Sequence, residues 1–224
     1  METFKINNAE PIDSREELID ISVEYCHRLI GADLADKLGK ELTETPVILT
    51  GNHHCPDHVA FPIQGSILFG LSKRNARVVP IFACGGVPLD NDFYPRGIET
   101  SQGIRINIFP EKDKRKVVSS THPFTGHMVE NGIKQLARLH NEGKIHSKEA
   151  RTLMEILKEN YLLQEVLQQP NYSYQATLLN RTLWKKLYAS DIQDEIPELV
   201  FLELEKIADE LLENDLLKKR NFSL

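Results

Sequence analysis

Cysteine is scarce in this 224-residue chain: Cys26, Cys55 and Cys84 are odd in number and lack Cys-x-x-Cys spacing. Neither a disulfide framework nor a structural zinc knuckle is indicated, and reduced thiols are expected. Long apolar runs are missing too. None approaches the ~20 residues a membrane helix needs, which argues against integral membrane association. Residues 1–8 lack the basic region, apolar stretch and small-residue cleavage site of a secretory signal, so a soluble, cytoplasmic chain is the default expectation. No Gly-x-Gly-x-x-Gly follows a strand and no Walker-type lysine occurs, so no nucleotide cofactor is indicated. Basic residues cluster only at 112–116 and 218–220, and the formal charge is −6. Backbone phosphates need a clustered basic surface, so no nucleic-acid partner is expected. Fixed repeats and low-complexity tracts are likewise missing, against a solenoid or a disordered tail.

What the chain does contain gathers at residues 46–58. Val47, Ile48, Leu49 and Thr50 form an apolar, β-branched run between Pro46 and Gly51, which reads as a buried strand over 47–50. Gly51 and Asn52 tolerate unusual backbone angles and hand the chain to His53, His54, Cys55, Asp57 and His58. Pro56 suits the first turn of a helix. Such a strand-to-helix turn is where open α/β sheets place their ligands.

The remaining elements follow from periodicity. Ser14 and Glu17 make a capping box for a helix over about 15–30, and Leu34, Ala35, Leu38 and Leu42 mark a second helix. Val59, Ala60, Ile63, Ile67, Leu68 and Leu71 trace a helix over 57–73. A strand at 77–83 completes a βαβ unit, with Pro80 suggesting an edge or an irregularity. The 85–97 connection is rich in Gly, Pro, Asp and Asn and of a length that goes with function. Two short strands, 98–101 and 104–109, resemble a hairpin. Helices are expected over about 125–142, from Ser147, over 175–188 and from Pro197 onward. The fold expectation is therefore α/β: a small, mostly parallel sheet of 47–50, 77–83 and 104–109 with flanking helices, followed by an all-helical C-terminal half. The corresponding division is an α/β core over 1–123 and a helical region over 124–224.

Imidazole, carboxylate and thiolate are all ligands for zinc and related metals. Neighbouring residues of an extended chain point to opposite sides, so His53 with Cys55 and Asp57, or His54 with His58, can share a centre. The metal set inferred is His53, Asp57 and His58, for zinc, iron or manganese. Without metal, His53, His54, Asp57 and His58 are the candidates for general-base catalysis. Cys55 could instead be a nucleophile activated by the neighbouring imidazoles. Asn52, Cys55, Asp90, Asn91 and Arg96 are the candidate substrate contacts, the last three from the 85–97 loop.

The spacing His53-x-Cys55-x-Asp57-His58 resembles the His-x-His-x-Asp-His signature of the metallo-β-lactamase superfamily, with cysteine at the second histidine. That resemblance implies further metal ligands on a second, β-rich half, whereas this chain begins and ends in helices. Asn52-His53, an apolar helix, a strand and Phe109-Pro110-Glu111 resemble, in that order, the glycerolipid acyltransferases. Here Asp57 falls one residue early for that family's His-to-Asp spacing, and Lys112 replaces its final glycine. What the second resemblance implies is an imidazole near a carboxylate, acting as a general base.

The function expected is a soluble hydrolase or transferase acting on a small molecule, with the 53–58 loop as general base or metal site. The alternative is a non-catalytic binding or scaffold module with a helical partner surface. A homo-oligomer through the C-terminal helices fits either.

Overall fold

The computed structural model describes residues 15–44, 50–53, 78–89, 97–187 and 197–218. The expected helix over 57–73 and residues 47–49 of the first expected strand lie outside them.

Helix α1 (Arg15–Leu29) carries Glu16 and Glu17 in its first turn and Arg28 in its last, charges that complement the helix dipole. Gly31 closes it at φ 126°, donating to the Cys26 carbonyl. Helix α2 (Ala32–Glu44) buries Leu34, Ala35, Leu38 and Leu42, the three-and-four spacing read from the sequence.

Strand β1 (Thr50–His53) extends past the expected run to the first histidine. Strand β2 (Val78–Cys84) pairs with it in parallel. On the other side of β2 lies β5 (Glu198–Glu203), also parallel, so the sheet order is β1-β2-β5. This corrects two expectations. The C-terminal half is not all helical, because Leu199, Val200, Phe201 and Leu202 form a strand before the final helix. Four consecutive apolar residues suit a strand buried on both faces better than an amphipathic helix. Val78, Phe82, Val200 and Leu202 meet α1 and α2 in one cluster. On the alternate positions Val79, Ile81, Leu199 and Phe201 are each only 1% exposed. Pro80, moreover, is in the central strand, so of the edge and the irregularity expected there the edge does not hold, while the β1–β2 pairing shifts register between Thr50 and Asn52. The register partner of Pro80 is Val200, and the described pairing with β1 begins only opposite Phe82.

The 104–109 segment does not join this sheet. Strand β3 (Gly97–Glu99) and β4 (Arg105–Asn107) form a separate antiparallel pair, the hairpin suggested by the sequence. A Cβ at Gly97 would stand 1.8 Å from the Ile106 carbonyl oxygen, so no larger residue fits that pairing. The hairpin lies against a second core that includes Ile106, Ile108, Phe109, Phe124, Leu136, Leu157 and Leu179. Helices α3 (Gly126–Asn141), α4 (Ser147–Ile156), α5 (Gln164–Leu167) and α6 (Tyr172–Leu187) surround that core, with a π-helical turn at Leu157–Tyr161. Helix α6 also packs along β5 and touches α1, where Tyr25 Oη and Thr177 Oγ1 share a buried hydrogen bond of 2.8 Å. Helix α7 (Leu204–Lys218) leaves β5 directly. Among the described residues, no helix is long and apolar enough to cross a membrane.

Candidate active site

A parallel sheet presents the carboxyl ends of all its strands at one edge, and that edge is the usual ligand position in open α/β folds. Here His53, the last residue of β1, pairs with Cys84, the last of β2. One register step back, Ala83 pairs with Glu203, the last of β5. Residues far apart in the chain thus finish side by side.

The β2 exit is tied to the start of α7. Cys84 Sγ donates to Glu205 Oε1 at 3.3 Å, and the Gly85 amide donates to Glu205 Oε2 at 2.7 Å. Glu205 belongs to the first turn of α7, where the helix dipole favours a carboxylate. The chain beyond Gly85 is held from its other side: the amides of Ser119 and Val118 donate to the carbonyls of Gly85 and Val87, and Leu89 donates to Lys116. Burial pushes the Cys84 thiol pKa up, with the Glu205 carboxylate acting in the same direction and the Gly86 amide against it.

Glu203 lies one residue before the helix and is only 3% exposed. Burial pushes its carboxyl up to about 7, partly offset by the Ser173 hydroxyl and reinforced by the charge of Glu205. Its other charged neighbours are Lys206 and Asp209 on α7, and it bears in turn on Tyr25 of α1 and Tyr174 of α6.

Of the residues singled out from the sequence, Asn52 and His53 have their backbone in β1 at this edge. His54, Cys55, Asp57, His58, Asp90, Asn91 and Arg96 lie outside the described residues. Cys84, not singled out as a site residue from the sequence, is partly exposed and hydrogen-bonded. Glu203 and Glu205 were missed. Their signal was hidden because both fell on the polar side of a helix expected from Pro197, whereas a strand-to-helix junction at Leu204 would have put them at the sheet edge.

Two other imidazole pairs lie elsewhere. His122 Nε2 is 2.9 Å from Oδ2 of buried Asp113, whose Oδ1 takes Lys116 at 2.8 Å. Lys116 above all, and then His122, hold the Asp113 carboxyl below its ordinary range. His122 Nδ1 faces the Pro123 carbonyl at 3.0 Å, so both ring nitrogens are already engaged and the group serves to tie the 110–123 loop together. His140 Nε2 meets Ser147 Oγ at 2.8 Å in an open groove of about 370 Å³ that Met154 and Arg151 also line. Among the described residues, no three His, Cys, Asp or Glu side chains come together as a metal-binding group. No protein-family model, curated protein or solved structure matches the chain.

Proposed function

We propose that this chain is an enzyme, a hydrolase or transferase of the cytoplasm, working on a small molecule at the carboxyl edge of the β1-β2-β5 sheet. The observation that carries the reading is the convergence there of the His53 backbone with Cys84 and Glu205. In this reading His53, His54, Asp57 and His58 supply the general base or the metal ligands, and Asn52, Cys55, Asp90, Asn91 and Arg96 contact substrate. An imidazole fixed at a strand end can take a proton from water or a hydroxyl, typically worth ~10²–10⁴-fold in rate. The free thiols Cys26 and Cys84 fit a reducing compartment.

A screen of ester, phosphoester and acyl-transfer substrates tests this. The expected result is turnover by the wild type that falls at least about a hundredfold in His53→Ala or His54→Ala. Unchanged turnover in the combined His53→Ala, His54→Ala, Asp57→Ala variant would overturn it. A second reading, a binding module with a helical partner surface, draws on Leu212 and Leu216 of α7, which are 59% and 55% exposed. No turnover by a folded wild type on any substrate class would favour that reading.

A further inference from the structure

Away from the sheet, the turn between α3 and α4 sets a nucleophile against a base. His140 lies in the last turn of α3 and Ser147 opens α4, and His140 Nε2 stands 2.8 Å from Ser147 Oγ, within reach of the hydroxyl proton. The turn itself is fixed: Gly143 takes φ 69°, where a side chain would be strained, and Ile145 is buried in the core that the helices surround. The two helix ends meet with opposite polarity. Negative charge developing beside Ser147 falls at the start of α4, whose first amides have no acceptor within the helix and whose N-cap, His146, makes no side-chain cap. An imidazolium formed at His140 falls at the end of α3, where the helix dipole favours a cation. Both groups open onto a groove of about 370 Å³, a size in the range of small-ligand pockets, about 300–1,000 Å³. The other groups lining it belong to one face of α4 and the turn that follows. Ala150 and Met154 provide an apolar floor, and Arg151 and Lys158 set two cations against the one carboxylate of Glu155. Ser147, Arg151, Met154 and Lys158 share that face because each is three or four residues from the next.

We propose that Ser147 and His140 form a second catalytic centre, an acyl-transfer dyad with Ser147 as nucleophile and His140 as general base, acting on an ester that carries an anionic group. The anionic group of the substrate lies toward Arg151 and Lys158, and its apolar part lies on Ala150 and Met154. In the first step Ser147 Oγ bonds to the ester carbonyl carbon as the Oγ–H proton passes to His140 Nε2. The ester C–O bond then breaks, and the leaving alcohol takes that proton from Nε2. Water attacks the acyl-serine with the same imidazole as base, which releases the acid and restores the hydroxyl. This centre does not rest on the reading of the sheet edge. The competing explanation is that His140 only ties the start of α4 to the end of α3.

An alkyl fluorophosphonate is the probe, incubated with the full chain and located by peptide mass, because it loses fluoride to an activated serine and stays bound. The expected result is labelling of Ser147, which Ser147→Ala removes. His140→Gln can still hydrogen-bond the hydroxyl but is too weak a base to take its proton. It should slow the labelling at least about a hundredfold without changing the far-ultraviolet circular dichroism. The anionic preference has its own readout in the hydrolysis that depends on Ser147. Mono-para-nitrophenyl glutarate should be preferred to the neutral para-nitrophenyl butyrate, and Arg151→Ala should raise KM about tenfold for the glutarate alone. No label at Ser147, or a label whose rate His140→Gln leaves unchanged, would overturn the dyad. Label found instead in the 53–58 segment would overturn it and support the sheet edge. Equal hydrolysis of the two esters would overturn the anionic substrate. Turnover that Ser147→Ala leaves intact belongs to the sheet edge, so the two centres fail separately.

Discussion

Gln175 does for Phe124 what a neighbouring strand would do. Its side-chain amide accepts from the Phe124 amide at 2.8 Å and donates to the Phe124 carbonyl at 2.9 Å, all within a fully buried environment. A backbone pair away from water needs both bonds, since an orphaned group costs about 1–3 kcal/mol. Gln175→Leu has nearly the same bulk but satisfies neither. We predict a loss of about 2–5 kcal/mol in urea denaturation, the sum over the two orphaned groups less some relaxation. A loss below about 0.5 kcal/mol, the size of an ordinary surface substitution, would show that Phe124 finds partners elsewhere. Gly97 makes the opposite point, since there it is the bare Cα that lets β3 approach β4.

Strand β5 is the element whose burial has the clearest consequence for pH. Its last residue, Glu203, keeps its proton in the folded protein up to about pH 7, against an ordinary value of 4.5. The folded state therefore binds the extra proton between those values. The contribution to stability is full below about pH 4.5, declines as pH rises and is lost above about 7, a swing on the order of 3 kcal/mol. Glu203→Gln should remove that slope, raising the melting temperature at pH 8 while changing it little at pH 4.5. Equal shifts at both values would mean that the carboxyl is not held neutral. The same strand shows where sequence periodicity misleads. Leu199, Leu202, Ile207 and Leu211 fit a helical stripe, yet the consecutive Leu199 to Leu202 run is a doubly covered strand, and only Ile207 and Leu211 belong to α7. For α1, α2 and α3 no such ambiguity arises, because each has one apolar stripe and one core to face. The parallel pairing of β1 with β2 was readable from two apolar runs flanking a long connection. The placement of the 104–109 segment was not, since alternation identifies a strand but not its sheet.

At the scale of the whole molecule, the main sheet is complete only when β5, from near the end of the chain, docks on β2. That docking is also what brings Glu205 to Cys84, so the candidate site is assembled by the last step in chain order. The end of β1 at Asn52 and His53 was legible as the place where an apolar run stops. The Cys84–Glu205 contact was not, because it joins residues 121 positions apart. The central proposal is that the carboxyl edge of the β1-β2-β5 sheet is where the chemistry takes place. Its most direct test is the screen of ester, phosphoester and acyl-transfer substrates, run on the wild type and on the combined His53→Ala, His54→Ala, Asp57→Ala variant. The predicted result is turnover by the wild type that falls at least about a hundredfold in the variant. Unchanged turnover in the folded variant would contradict it.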